Sequence, residues 1–256
     1  MLGKIRIQRI QKLHQKKFRL LEKRFIAEGT KTVLDLIRAN YPVECVIATS
    51  DWIKTHLKSP CYAEVIEAEQ FELDKISCLH TSPEVLALCV LPVPQASPIE
   101  NTRLTLVVDA VRDPGNLGTI IRLADWFGVH QIFASDDTVE WTNPKCIQAS
   151  MGSFVRLQPI YCSIDELESL CLKNHSYAAD LEGDNLYTTV VKSQGILVVS
   201  SESHGLHPIL QRSVKQKLTI PSAHKPGVGP DSLNVAIATG IFLAEFARQA
   251  NNYSQF

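Results

Sequence analysis

The feature that most constrains the fold is a series of short, continuously apolar segments in the second half of the chain, separated by helical patterns. Such segments are typical of strands buried on both faces, because the helices between them cover both sides of a parallel sheet. A helix from Asn234 to about Gln249 follows the last segment. The sequence therefore predicts an α/β fold with a parallel sheet. The segments predicted as strands are 104–108, 131–134, 155–159, 177–179, 196–200 and 218–220.

The first part of the chain carries a shorter alternation of the same kind. Its predicted strands are 45–48, 63–66 and 85–90, and its predicted helices are 29–38, 50–57 and 69–76. The stretch LPVPQASPIEN that follows, residues 91–101, contains three Pro residues, which interrupt both helices and strand pairing. We therefore predict two domains, 1–91 and 102–256, joined by a linker at 92–101.

Composition excludes several classes of protein. No apolar run in the 256 residues approaches the ~18 residues of a membrane span, so we predict no membrane-spanning segment. The first thirty residues lack the uninterrupted apolar core of a signal peptide. The seven Cys residues form no CxxC pair, which favours reduced thiols over a disulfide framework or a zinc site. The expectation is a cytoplasmic protein without a bound metal.

Charge is unevenly distributed along the chain. Residues 1–30 carry nine Lys and Arg residues against two Glu residues, so their net charge is +7 and that of the remainder is −8. Two explanations of this asymmetry are open. The region contacts a polyanionic partner, or it is a solvated amphipathic helix with no such partner. Nucleic acid is favoured over a membrane surface because the apolar stripe of this region is thin and contains no Trp. The candidate phosphate contacts are Lys12, Lys16, Lys17 and Arg19.

A first polar loop follows the predicted strand 104–108 and reads RDPGNLGTIIR, residues 112–122. Pro-Gly-Asn favours a tight turn, and Asn116 can cap the helix that begins there. Gly118 leaves the first helical turn without a side chain, and Arg122 follows one turn later. A guanidinium near a helix N-terminus is suited to hold a phosphate. The alternative is a capped helix whose Arg pairs with a surface carboxylate.

Two further polar loops follow the strands predicted at 196–200 and 218–220. The first of these loops contains His204 and His207 three residues apart, but no third side chain is suitably spaced to complete a metal site. The second leads into the last helix, where Ser232 and Asn234 place a hydroxyl and an amide at the helix start. Simple capping by Asp231 or Ser232 is the alternative account of that second loop.

Several common nucleotide and hydrolase signatures are absent. The sequence contains no GxGxxG after a strand, no GxxxxGK[ST], no GxSxG and no HExxH. The interpretation as a nicotinamide- or nucleotide-dependent enzyme is therefore supported only by a parallel sheet with a glycine loop. Proteins of many different functions share that feature.

Taken together in order, three motifs of the chain resemble those of the SpoU/TrmH-type RNA ribose 2′-O-methyltransferases of the SPOUT superfamily. They are RDPGNLGTIIR (112–122), VVSSESHGL (198–206) and IP…DSLNVAIATGIFLAEF (220–246). RFIAEGTKTVLDLI (24–37) also resembles the substrate-binding domain that often precedes the catalytic one. The resemblance covers nearly the whole chain.

The resemblance implies a specific architecture and reaction. The catalytic domain would be a parallel-sheet SPOUT-type domain with a C-terminal trefoil knot, preceded by a small α/β, ribosomal-protein L30e-like domain that binds RNA. The methyl donor would be S-adenosylmethionine, and the acceptor a ribose 2′-hydroxyl in ribosomal or transfer RNA, with ribosomal RNA preferred. Family members are usually homodimers that complete the site across the interface.

The family's functional residues can be carried over where the motifs match. Arg122 would clamp the RNA phosphate and ribose, because a guanidinium stays protonated and is a poor base. Ser232 and Asn234 would orient the 2′-hydroxyl. The catalytic set is Asn116, Arg122, Glu202, Ser232 and Asn234. The cofactor-binding set is Ser200, Ser201, Gly205, Ile220 and Leu233.

Two departures from the family pattern leave an alternative open. Ser200 and Ser203 stand where the second motif usually has Gly, and the connection at 221–231 is longer than usual. Both changes alter the loops expected to hold the cofactor. The alternative is an RNA-binding protein with the same fold that has lost cofactor affinity and catalyses nothing.

Overall fold

The computed structural model describes residues 2–58, 61–93, 96–99, 102–192, 194–201, 205–224 and 228–250. The chain divides into two compact units, residues 1–93 with 142–155, and residues 94–141 with 156–256. The break at 93/94 falls inside the proline-rich stretch. Residues 142–155 belong to the first unit, although the sequence places them within 102–256. No helix in the described ranges is long and apolar enough to cross a membrane.

The first unit is a four-stranded sheet with helices around it. Its elements before residue 94 are α1 (Lys4–Lys12), α2 (Lys16–Glu22), β1 (Arg24–Glu28), α3 (Thr30–Arg38), β2 (Val43–Ala48), α4 (Ser50–His56), β3 (Glu64–Glu67), α5 (Gln70–Ile76) and β4 (Val85–Val90). The strand order is β1-β4-β2-β3, with β4 antiparallel to both of its neighbours and β3 parallel to β2. Ile10 and Leu13 of the N-terminal segment are buried in the core of this sheet, so the basic region is part of the folded unit.

The second unit is a six-stranded sheet built from the rest of the chain. Its strand order is β10-β8-β9-β5-β6-β7, and every described pair of neighbours is parallel, which confirms the predicted fold class. The remaining elements of the chain are β5 (Leu104–Asp109), α6 (Pro114–Trp126), β6 (Ile132–Ser135), α7 (Pro144–Ser150), a 3₁₀ turn (Ser153–Val155), β7 (Pro159–Cys162), α8 (Ile164–Lys173), β8 (Ser176–Asn185), β9 (Gly195–Ser200), α9 (Pro208–Ser213), β10 (Gln216–Thr219) and α10 (Val235–Gln249). Of these, α7 and the 3₁₀ turn belong to the first unit and the others to the second.

The segment 142–155 packs into the first unit through an aromatic cluster. The Phe154 ring centroid lies 5.9 Å from that of Phe25 and 6.2 Å from that of Tyr41, each in an edge-on arrangement. Lys31 Nζ donates a 2.7 Å hydrogen bond to the main-chain oxygen of Met151. The apolar residues at 154 and 155 therefore serve this cluster, and the strand predicted at 155–159 is instead Pro159–Cys162.

Candidate active site

A cleft of about 180 Å³ opens at the carboxyl edge of the six-stranded sheet. It lies beyond the ends of β9 and β10, beside β8 and the start of α10, which is where parallel sheets usually bind ligands. Val199, Leu206 and Phe242 supply apolar walls. The structure places every residue of the predicted cofactor set around this cleft, namely Ser200, Ser201, Gly205, Ile220 and Leu233, and Ser232 lines it as well.

One wall of the cleft is a wide bulge in β8 that the sequence did not predict. Pairing with β10 moves from Ala178 opposite Lys217 to Asp184 opposite Leu218, so residues 179–183 are looped out. Asp180 Oδ2 forms a 2.8 Å ion pair with Lys217 Nζ, and Asp180 Oδ1 accepts a 3.1 Å hydrogen bond from the Glu182 N–H. Burial raises the pKa of the Asp180 carboxyl, but these bonds outweigh burial and bring the pKa below its ordinary value. The charged pair therefore holds the bulge.

A buried aspartate, also missed from the sequence, holds both ends of the loop after β9, one through its carboxylate and the other through its main-chain oxygen. Asp109 is only 2% exposed at the end of β5. Its Oδ2 accepts a 2.8 Å hydrogen bond from the His207 N–H, and its main-chain oxygen accepts from the Ser201 N–H at 3.1 Å. Burial raises the pKa of the Asp109 carboxyl, while the bond from His207 opposes that rise. Its signal in the sequence is a single acidic residue directly after an apolar strand.

Helix α6 begins at Pro114, before the residue that the sequence suggested as its cap. Asp113, not Asn116, caps the helix, and its carboxylate accepts a 2.9 Å hydrogen bond from the Asn116 N–H. Pro114 occupies the first helical position, where its missing N–H costs nothing. The predicted cap at Asn116 is therefore wrong, and the Asn116 side chain is left available for another contact.

The contact of Asn116 is with the start of the last helix. Asn234 caps α10, because its Oδ1 accepts from the N–H groups of Ala236 at 3.1 Å and Ile237 at 3.3 Å. Its Nδ2 donates a 3.0 Å hydrogen bond to Asn116 Oδ1. Capping by Asp231 or Ser232 is thus wrong. Two residues predicted as catalytic, 118 positions apart in the chain, meet at the margin of the cleft.

Arg122 stands apart from this arrangement. It is exposed on α6, does not line the cleft, and forms no hydrogen bond or ion pair with any residue in the described part of the chain. The alternative in which Arg122 pairs with a surface carboxylate is therefore not seen among those residues. Arg122 lies six positions beyond Asn116, or about 9 Å along the helix axis. Glu202, the remaining member of the predicted catalytic set, lies outside the described residues, as do Ser203 and His204.

Two large apolar side chains are exposed on α6, which carries Arg122, and on α10, which packs against it. Trp126 follows it by one helical turn and is 83% exposed, and Ile237 on α10 is 59% exposed. The two helices pack closely, since a Cβ on Gly240 would lie 3.3 Å from the Leu123 side chain. We call the surface formed by Leu123, Trp126, Ile237 and Ile241 the α6/α10 face.

The N-terminal basic region is less available than its charge count indicates. Lys12, Lys16 and Lys17 are exposed. Arg19 is 2% exposed, and its Nη1 donates to the main-chain oxygens of Leu13 at 2.8 Å and His14 at 2.9 Å. The prediction that Arg19 contacts phosphate is therefore wrong, because this guanidinium holds the turn between α1 and α2.

Within the described ranges, no group of three or more His, Cys, Asp or Glu side chains could hold a metal ion. All seven cysteines are free thiols. Burial raises the pKa of Cys171 to about 12, so this thiol stays protonated at neutral pH and is a poor nucleophile.

Comparison with known protein families identifies the class of the chain. Residues 103–244 match the SpoU rRNA Methylase family, and residues 4–87 match the MRM3-like substrate binding domain. The chain therefore belongs to the SpoU rRNA methylase family, whose members use S-adenosylmethionine, and the predicted family is confirmed.

Relatives align over nearly the whole chain. The 23S rRNA (guanosine(2553)-2′-O)-methyltransferase RlmP of Bacillus subtilis is 27% identical, over 91% of this chain and 92% of that protein. A TrmH-family protein from Porphyromonas gingivalis has a TM-score of 0.87 and 34% identity, over 97% of this chain and 99% of its own. An AdoMet-bound rRNA methyltransferase from Sinorhizobium meliloti has a TM-score of 0.82 and 27% identity, over 97% and 96% of the two chains.

Proposed function

We propose that this protein transfers the methyl group of S-adenosylmethionine to a ribose 2′-hydroxyl in ribosomal RNA. The observation that carries the proposal is the convergence of residues from separate motifs on one cleft. Ser200 and Ser201 come from the end of β9, Ile220 and Ser232 with Leu233 come from the two ends of the loop between β10 and α10, and all of them line it. The named activity of the Bacillus subtilis relative supports ribosomal RNA as the acceptor.

The cleft suits this methyl donor in its chemistry. Its walls are mostly apolar, with Val199, Leu206 and Phe242 among them, while serines supply polar groups in the lining. Pockets for nucleoside cofactors combine apolar walls with a few placed polar groups in this way. Ser200 lines the cleft without closing it, so the departure from Gly at this position leaves room for a ligand. When bound, the donor supplies an electrophilic methyl group on a sulfonium.

The chain's own residues would hold and activate the nucleophile. Arg122, exposed and unpaired with any described residue, binds the phosphate next to the target ribose and stabilises negative charge that develops on the 2′-oxygen. Ser232 at the rim of the cleft orients the hydroxyl by hydrogen bonding. Alignment of oxygen and methyl group is the main contribution that such a site makes. Glu202 completes the proposed set.

The exposed apolar face and the unpaired arginine support a homodimer. A second copy that covers the α6/α10 face would bury Trp126 and Ile237, which are costly to leave in water. Arg122 lies on this same face, so one protomer would present its arginine to the site of its partner. A cleft that lacks an arginine among its described lining residues is consistent with that exchange.

We assign residues 1–91 to RNA binding, 92–101 to a linker and 102–256 to catalysis. The C-terminal segment would pass through a loop as a trefoil knot, which brings the loops after β9 and β10 to the same cleft. A cytoplasmic location is supported by the seven free thiols and by the proposed RNA substrate.

The test of this function is transfer of labelled methyl from S-adenosylmethionine to ribosomal and transfer RNA taken from cells that lack the protein. After digestion to nucleosides, we expect label in 2′-O-methyl nucleosides from the ribosomal pool. Label in base-methylated nucleosides, or in the transfer RNA pool alone, would contradict the proposal. If neither pool is labelled, titration with S-adenosylmethionine decides the cause, since absence of binding favours the RNA-binding protein without catalysis.

A further inference from the structure

The hydrogen bonds at the start of α10 determine how one side-chain amide is turned. A main-chain N–H can only donate, so the atom of Asn234 that faces the N–H groups of Ala236 and Ile237 must be the oxygen. The NH₂ of Asn234 is then turned away from α10, towards Asn116. The capping geometry thus fixes an orientation that an isolated asparagine would leave open.

The orientation of the Asn234 amide also determines the orientation of the Asn116 amide. Because Asn234 donates at 3.0 Å, the atom of Asn116 that receives the bond must be its oxygen. The main-chain N–H of Asn116 is already engaged by Asp113. The NH₂ of Asn116 forms no hydrogen bond with a described residue, and Asn116 is only half-buried. The NH₂ of Asn116 is therefore available as a donor near the start of α10, at the margin of the cleft. Its carbonyl oxygen is occupied by the bond from Asn234.

We infer that Asn234 is a positioning residue that sets the amide of Asn116, and that Asn116 donates to an oxygen of the ribose-phosphate backbone of the RNA. The inference rests on the proposed function, since it assigns a contact to that same substrate. Leu233 and Val235, the neighbours of Asn234, both line the cleft, which places the pair at its margin. Donors at this position suit an oxygen that carries or gains negative charge.

Two substitutions at Asn234 separate positioning from capping, because Asp and Ser are both good helix caps. Asn234→Ser keeps the cap but removes the donor to Asn116, so the Asn116 amide is no longer set. Asn234→Asp also keeps the cap, but its second carboxylate oxygen attracts the NH₂ of Asn116 and turns that amide round. Asn116 would then present its carbonyl oxygen to the RNA oxygen, which is repulsive.

The expected order of methyl transfer is wild type, then Asn234→Ser, then Asn234→Asp. We expect a loss of roughly 10-fold for Ser, the worth of one ordinary hydrogen bond. For Asp we expect roughly 100-fold, the effect of losing one donor to a developing oxyanion. Affinity for S-adenosylmethionine and Tm should stay near the wild-type values in both variants. Loss confined to kcat indicates the 2′-oxygen as the acceptor, and a raised KM for RNA indicates a phosphate oxygen.

A double-mutant cycle with Asn116→Ala provides the control for the added charge. If Asn234 acts only through Asn116, the Ser and Asp variants should not reduce activity further in that background. Additive losses would overturn the inference, because they mean that Asn234 or the new charge acts on the substrate directly. Wild-type activity in both single variants would overturn it as well, since that result leaves only a capping role.

A spectroscopic readout keeps the inference testable if the proposed function fails. The side-chain NH₂ resonances of Asn234, assigned by their loss in Asn234→Asp, should be protected from hydrogen exchange in the wild type and exposed in Asn116→Ala. Absence of methyl transfer with this protection intact rejects the proposed function and keeps the bond. Equal exchange in the two proteins rejects the positioning.

Discussion

At the scale of single residues, the loop after β9 is held by one buried aspartate, Asp109. Asp109 accepts the His207 N–H and, through its main-chain oxygen, the Ser201 N–H, so both ends of the loop are tied to β5. Removal of a buried acceptor leaves its donor unsatisfied, which costs about 1–3 kcal/mol. Since Ser201 and Gly205 of this loop line the cleft, the cost should appear in cofactor binding.

We therefore expect Asp109→Ala to weaken binding of S-adenosylmethionine by about 10-fold or more, measured by calorimetry. Asp109→Asn is the matched control, because its amide oxygen can still accept from His207. Binding of the Ala variant at wild-type affinity would show that the loop does not need this anchor.

The same carboxylate predicts a dependence of stability on pH. Burial raises the pKa of Asp109 in the folded state above its unfolded value, so its contribution to stability is lost as pH rises through the folded pKa. Asn at this position does not titrate. The Tm of Asp109→Asn relative to wild type should therefore increase between about pH 3 and pH 7. A difference in Tm that is constant over this range would contradict the raised pKa.

Arg122 is the second residue whose role can be isolated. Since it is exposed, Arg122→Ala should change the free energy of unfolding by less than about 0.5 kcal/mol. Its methyl transfer should fall by roughly 100-fold or more. Arg122→Lys keeps the charge but not the two-pronged geometry, and should retain part of the activity with a pH–rate profile parallel to that of wild type. Activity restored only at high pH would support a base and reject the clamp.

At the scale of helices and strands, the exposed lysines of α1 and α2 are the testable part of the basic region. Replacement of Lys12, Lys16 and Lys17 by Gln should reduce the slope of log affinity for RNA against log salt by about 3, one unit per lysine. Replacement of Lys54, Lys58 and Lys173, which are equally exposed, is the matched control and should leave the slope unchanged. A slope unaffected by the first set would exclude these helices from RNA contact.

Arg19 lies in the same segment as these exposed lysines, but its guanidinium is buried. Because its guanidinium is committed to the main-chain oxygens of Leu13 and His14, Arg19→Gln should lower Tm without changing the salt slope.

The elements themselves show what a sequence can and cannot predict. Apolar periodicity located the buried strands of the second unit, because burial on both faces leaves a continuous pattern. It misplaced β7, since Phe154 is apolar for a contact with Phe25 rather than for the sheet. The helix caps were assigned to the wrong residues because Asp113, Asn116, Asp231, Ser232 and Asn234 are all good caps, and only the path of the chain selects among them.

The candidate site was predicted where motifs exist and missed where geometry alone creates it. Motif matching found residues of the two loops, after β9 and after β10, that line the cleft. Asp109 and Asp180 carry no motif, because the first acts through distant main-chain groups and the second through a register shift between β8 and β10. Contacts of this kind depend on the assembled sheet and leave no local pattern.

At the scale of the whole molecule, the α6/α10 face should hold two copies together. Ile237→Glu places a charge on that face, and Glu is compatible with the first turn of a helix. We expect this variant to be monomeric by analytical ultracentrifugation, while the wild type is dimeric. Leu172→Glu is the matched control, since Leu172 is 57% exposed on α8, which packs against α9 and β6. A dimeric Ile237→Glu variant, or a monomeric wild type, would contradict the proposed interface.

Methylation of ribose in ribosomal RNA by this chain can be tested in the cell, by nucleoside mass spectrometry of ribosomal RNA from its host. Deletion of the gene should remove a 2′-O-methyl nucleoside from at least one position. The wild-type gene should restore this modification, and a gene that carries Arg122→Ala should not, although its product is folded. An unchanged set of 2′-O-methyl nucleosides in the deletion strain would contradict the account.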